Sequence, residues 1–137
     1  MRSIGEIITG RKLFTISGEA SILDAVNLMV KRKIGALPVV NLDNRIVGIF
    51  TERDLLKRVV AAQLDIKTTK VAEVMTGKLV TASTEATPIS CLKKMKEKNF
   101  RHLLVTRERN IVGIVSQRDL IEIDLEKKNR ALQAIDA

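Results

Sequence analysis

The sequence predicts an α+β fold made from two copies of one β-α-β-β-α unit. Three observations predict it. The chain repeats itself at a long offset, β-rich apolar runs flank short polar turns, and apolar residues recur at helical spacing behind good cap residues.

The repeat is read directly. Gly5-Glu6-Ile7-Ile8-Thr9-Gly10 resembles Ala72-Glu73-Val74-Met75-Thr76-Gly77 at an offset of 67. Leu13 to Ala20 matches Leu79 to Ala86 at an offset of 66, which also relates Met29 to Met95. Ile46-Val47-Gly48-Ile49-Phe50-Thr51-Glu52-Arg53-Asp54-Leu55 matches Ile111-Val112-Gly113-Ile114-Val115-Ser116-Gln117-Arg118-Asp119-Leu120 at an offset of 65. The slips fall at turns, where a change of length is tolerated. The copies are placed at residues 3–65 and 66–125, with a charged helical tail over 126–137.

Within each copy the elements follow in order. Leu13–Ile16 reads as a short strand. Ser21 is a suitable N-cap with Asp24 three residues on, and Leu23, Val26, Met29 and Val30 supply an apolar helical stripe. In the second copy Thr87 caps and Pro88 takes the first helical position, where a missing N–H costs nothing. Leu37–Val40 and Arg45–Phe50 form a hairpin around Asn41–Asn44; Leu103–Thr106 and Ile111–Val115 do the same around Arg107–Asn110. A second helix starts at Thr51 in one copy and Ser116 in the other. Three strands and two helices make a thin core, so the copies are expected to pack sheet to sheet with pseudo-twofold symmetry.

Composition narrows the function. Hydrophobic residues are 45% of 137, enough for a core, and no apolar run approaches the ~18 residues of a membrane span. The N-terminus has no secretory apolar region, so a soluble, cytoplasmic protein is expected. Cys91 is the one cysteine and His102 the one histidine; neither can build a disulfide framework or a metal cage, and no metal site is expected. The net charge of +8 permits an acidic partner, but it is diffuse: 10 Lys+Arg against 7 Asp+Glu in residues 1–65, and 14 against 9 in 66–137. Phe14, Phe50 and Phe100 are the only aromatics, too few for the stacking platforms of a single-strand binder. No P-loop or Rossmann frame and no nucleophile–base motif is present, so no enzyme is predicted and no catalytic cofactor is expected.

The chemistry concentrates where a strand ends and a helix begins, at Gly48-x-x-Thr51-x-x-Asp54 and Gly113-x-x-Ser116-x-x-Asp119. Two readings stand side by side. A hydroxyl residue followed three positions later by a carboxylate is close to a capping box that merely staples the helix. The same helix start offers N–H groups and a positive dipole end to a phosphate, and an acidic side chain can accept two hydrogen bonds from a ribose diol. Arg53 and Arg118 lie beside it and can pair with phosphate.

Ile34-Gly35-Ala36-Leu37-Pro38-Val39-Val40 followed by Gly48 to Leu55 resembles the CBS (cystathionine-β-synthase) domain, and Phe100-Arg101-His102-Leu103-Leu104-Val105 through Leu120 resembles its usual partner copy. The resemblance implies a stand-alone regulatory pair of the Bateman-module type that binds AMP, ADP or ATP in the cleft between copies, with S-adenosylmethionine or NAD as further candidates. It implies ribose binding by Asp54 and Asp119, and phosphate contacts from Thr51, Ser116, Arg53, Arg118, Arg101 and His102. It implies adenine slots lined by Thr9, Leu13, Phe14, Ile34, Gly35 and Ala36, and by Thr76, Leu79, Val80 and Phe100. It also implies a homodimer and an unidentified regulated protein, with no role for a membrane or, on the reading favoured here, for nucleic acid. The alternative is a basic scaffold or nucleic-acid binder that uses the fold without a nucleotide. The copies differ where Gly35-Ala36 faces Arg101-His102 and where Pro38 faces Leu104, so unequal sites are expected.

Overall fold

A computed structural model describes residues 3–136. Contacts gather the chain into two compact units that cut across the sequence repeats. The central unit is Phe14–Leu79; the split unit joins residues up to Leu13 with those from Val80 onward.

The central unit holds β1 (Ile16–Ser17), α2 (Ile22–Arg32), β2 (Ala36–Val40), β3 (Ile46–Thr51), α3 (Glu52–Asp54) running into a π-helix over Leu55–Val60, and α4 (Val71–Val74). The split unit begins with α1 (Ile4–Ile8) and continues through β4 (Thr81–Ser83), α5 (Pro88–Lys98), β5 (His102–Arg107), β6 (Asn110–Ser116) and α6 (Gln117–Asp136). Each unit has a three-stranded sheet, ordered β1-β2-β3 or β4-β5-β6. The first pair is parallel, as its crossover helix requires, and the second is an antiparallel hairpin. Both sheets shift register at the same place, between Val39 and Val40 and between Val105 and Thr106.

The caps expected from sequence are formed. The Ser21 hydroxyl accepts the Asp24 N–H at 3.1 Å, and the Thr87 hydroxyl accepts the Ser90 N–H at 3.2 Å behind Pro88. Of the stripe expected on α2, Met29 is buried, Leu23 and Val26 are half-buried and Val30 is exposed; the face turned to the core is one residue over. Ile22, Ala25 and Met29 pack with Leu37, Val39, Phe50 and Val59; Cys91 and Met95 pack with Leu103, Val105, Val115 and Leu120. Cys91 is buried, so its thiol is pushed above its usual pKa by loss of solvent.

One expectation needs correction and two features are new. The first strand is Ile16–Ser17 rather than Leu13–Ile16. In the split unit the Leu104 N–H donates to the Val80 carbonyl and Thr81 pairs with Leu104, whereas the matching residue of β2 is Pro38, which has no N–H to donate. The segments before β1 and β4 include the short helices α1 and α4, too brief to show a period in sequence. The helix after the first hairpin becomes a π-helix after one turn, while its counterpart stays α-helical for 20 residues. The charged residues from 126 onward are helical and continue α6 to Asp136.

The motif glycines make room for the two short helices. A Cβ on Gly113 would lie 2.7 Å from Ile8 Cδ1, and one on Gly48 would overlap the side chain of Met75, just past α4. Ile4, Ile7 and Ile8 of α1 are buried in the split unit's core, while Val71 and Val74 of α4 are buried in the central one. Each unit therefore completes its core with the opening helix of the other repeat.

Candidate functional site

In the central unit the helix after β3 starts on a complete capping box. The Thr51 hydroxyl accepts the Asp54 N–H at 3.2 Å, and Asp54 Oδ2 accepts the Thr51 N–H at 2.9 Å. The other carboxylate oxygen is engaged from elsewhere. Asp54 Oδ1 accepts the Thr76 hydroxyl at 3.0 Å and lies 3.6 Å from Arg58 Nε. Thr76 is fixed by exchanging both backbone hydrogen bonds with Ile49 of β3, each 2.9 Å. Arg58 also donates to the Met75 carbonyl at 3.1 Å. Asp54 is only 6% exposed, and its carboxylate is compensated on both oxygens.

The split unit builds the same corner differently. The Ser116 hydroxyl accepts the Asp119 N–H at 3.1 Å, and Asp119 Oδ2 accepts the Ser116 N–H at 2.9 Å. That same oxygen accepts Arg11 Nη1 at 2.9 Å, across 108 residues of sequence. Thr9, the counterpart of Thr76, closes α1 instead: its N–H and hydroxyl donate to the Glu6 and Gly5 carbonyls. Ile123 stands where the first repeat has Arg58, so no arginine reaches Asp119 from its own helix at that position. The Asp119 side chain keeps 22% of its surface and that of Arg11 keeps 47%. Burial pushes the Asp119 carboxyl up, but the hydrogen bond and charge of Arg11 and the Ser116 N–H and hydroxyl outweigh it. The group is held below the usual carboxylate range.

The remaining expected residues separate by unit. Phe14, Ile34, Gly35, Ala36, Thr76 and Leu79 belong to the central unit, whereas Thr9, Leu13, Val80, Phe100, Arg101 and His102 belong to the split one. Phe14 carries the Arg32 guanidinium 4.7 Å above its ring centroid. Arg53 is half-buried and Arg118 exposed. In both units the residue just before the strand that follows the crossover helix touches the helix start, since the Glu52 N–H donates to the Gly35 carbonyl at 3.0 Å and the Gln117 N–H to the Arg101 carbonyl at 2.8 Å. The Gly35-Ala36 and Arg101-His102 difference therefore falls beside Asp54 in one case and Asp119 in the other.

Two residues of these corners, Arg58 and Arg11, were missed in the sequence, and Thr76 was expected in an adenine slot rather than on Asp54. Arg58 follows Asp54 at the four-residue spacing of helical ion pairs, a signal that could have found it. Thr76 and Arg11 carry no local signal, because they meet carboxylates 22 and 108 positions away. A shallow cavity of about 370 Å³ on the central unit is lined by Gly18, Glu19, Asn41, Leu42 and Asp43 among others, and shares no lining residue with the Asp54 cluster. Among the described residues no group of three or more His, Cys, Asp or Glu could hold a metal ion, and no helix is long and apolar enough to cross a membrane.

Comparison with known proteins follows the same two repeats. The CBS domain profile matches residues 4–61 and 71–126. The mitochondrial CBS domain-containing protein CBSX3 of Arabidopsis thaliana is 30% identical over 141 residues, covering 100% of this chain and 68% of its own. The CBS domain pair of protein MJ0100, solved with 5′-methylthioadenosine and S-adenosyl-L-methionine, superposes with a TM-score of 0.81 at 26% identity, over 93% of this chain and 98% of that one. A CBS domain protein from Pyrobaculum aerophilum complexed with AMP gives a TM-score of 0.76 at 26% identity, over 85% and 88% of the two chains. The profile covers both repeats, the solved pairs share their fold, and the duplicated Gly-x-x-Thr/Ser-x-x-Asp corners stand in register; the chain belongs to the CBS domain family.

Proposed function

We propose that this chain is a non-catalytic ligand sensor that binds an adenine nucleotide, AMP, ADP or ATP, and that its two carboxylate corners are unequal. The observation that carries the reading is the contrast between them. Asp119 combines a helix start, a partly accessible carboxylate and an exposed arginine, whereas Asp54 is buried with both oxygens engaged. In this reading Asp119 holds the ribose and Ser116, Arg118, Arg101 and His102 surround the phosphate. Val80 and Phe100 lie on the adenine side. Asp54, with Thr51 and Arg53, serves the fold first and is the weaker site; Phe14, Ile34, Gly35 and Ala36 would line it. The AMP, methylthioadenosine and S-adenosylmethionine complexes of similar pairs support the ligand class. Binding acts by favouring one arrangement of the chain or of its assembly, which a regulated protein then reads.

The test is a thermal-shift series with AMP, ADP, ATP, S-adenosylmethionine, NAD and GMP at low and high salt. A ligand that binds only the folded state stabilises it by ~2.7 kcal/mol at a hundredfold excess over Kd. An adenine-selective shift that survives salt, is lost in Asp119→Ala and persists in Asp54→Ala is the expected result. Equal, salt-sensitive shifts with every polyanion would replace it with the scaffold or nucleic-acid reading.

The assembly is proposed to be a homodimer. Ile121, Leu125 and Leu132 form an exposed apolar stripe on α6. Along that helix Glu122, Asp124 and Glu126 precede Lys127, Lys128 and Arg130, so an antiparallel second copy sets acid against base. Sedimentation of Leu125→Glu/Leu132→Glu should show a monomer where the unmodified chain shows a dimer; an unchanged mass rules out this face.

A further inference from the structure

We propose that Arg11 is the anion receptor of the Asp119 corner, and that its bond to Asp119 is a latch which an anionic nucleoside phosphate opens by engaging both partners. The inference rests on the nucleotide reading and deepens it by naming the residue that receives the phosphate and the contact the ligand must open.

Four observations carry it. Arg11 and Asp119 come from distant segments and meet through one guanidinium N–H and one carboxylate oxygen at 2.9 Å. A guanidinium presents five N–H donors in a planar fork suited to phosphate, so this single contact uses a small part of its capacity. Both side chains are accessible, at 47% and 22%, and an exposed ion pair of this kind holds weakly. Finally, the central unit lacks the arrangement. Asp54 is held by Arg58 of its own helix and by Thr76, and the sequence counterpart of Arg11 is Lys78, a point charge without the fork. A diol arriving at Asp119 competes for the oxygen Arg11 holds, and the released guanidinium then meets the ligand's phosphate beside the start of α6. A neutral ligand opens the same latch and leaves the arginine without an anion.

Calorimetric titration of the full chain with AMP and with adenosine separates the possibilities. In Arg11→Ala the affinity for AMP should fall roughly 10- to 100-fold, the range a charged hydrogen bond supplies. Adenosine binding should stay within about twofold or tighten, because Asp119 is no longer held. Arg11→Lys should restore part of the AMP affinity. An unmoved thermal midpoint in both variants shows that they fold. Equal losses for AMP and adenosine, or an unchanged AMP affinity, would overturn the role of Arg11 and leave the nucleotide reading standing. A wild-type chain that binds neither ligand overturns that reading and this inference together.

Discussion

At the scale of single residues, one motif carries two jobs, and the surroundings decide which dominates. Thr51-x-x-Asp54 and Ser116-x-x-Asp119 both form the reciprocal hydrogen bonds of a capping box. Sequence could place both carboxylates at helix starts but could not rank them, because what separates them is Thr76, Arg58 and Arg11. Removing Asp54 leaves the Thr51 N–H and the Thr76 hydroxyl without their acceptor and also removes a cap. Asp54→Ala should cost about 2–4 kcal/mol in urea unfolding. Asp119→Ala, half-exposed and tied to an exposed arginine, should cost about 1 kcal/mol. The titration of Asp119 gives a second check. Its folded-state pKa is depressed, so its contribution to stability is complete above the unfolded value of about 3.9 and is lost as pH falls through the lower folded value. The acid limb of the stability curve should therefore flatten in Asp119→Asn, and added salt should shrink the difference.

At the scale of elements, α2, α5 and the two hairpins were legible from caps, apolar periodicity and turn residues, although the buried face of α2 is Ile22–Ala25–Met29 and Val30 of the expected stripe is exposed. The exceptions have local causes. Pro38 withholds the N–H that Leu104 supplies, and β1 begins late. Four- and five-residue helices are too short to declare a period, so α4 and α1 are visible only as repeated words before each strand. Nothing in Leu55–Val60 announces a π-helix. The helix ends also differ in strain. Lys33 and Asn99 close α2 and α5 in the left-handed region, with φ of 56° and 58°. Asparagine tolerates that conformation better than lysine, and glycine best of all. Lys33→Gly should raise stability by about 1 kcal/mol, read as a higher urea midpoint with an unchanged m-value. Asn99→Gly should gain clearly less.

At the scale of the whole molecule, the duplication was plain in the sequence, but the exchange of α1 and α4 was not. A repeat shows that two segments are alike; it does not show which core each one fills. Gly113 makes room for Ile8 of α1, and Gly48 for Met75 and Thr76 just past α4. The exchange has a consequence in time. The central unit is contiguous, so everything from β1 to α4 has been synthesised once Leu79 is added. The split unit opens with α1 and cannot close until β6, some hundred residues later, has emerged. At ~5–20 residues per second that is a wait on the order of 5–20 s, during which Ile4, Ile7 and Ile8 have no core to enter. α1 is thus made long before it can dock, and the growing chain carries a short greasy segment that a chaperone, or a neighbouring polysome's product, can seize before β6 arrives.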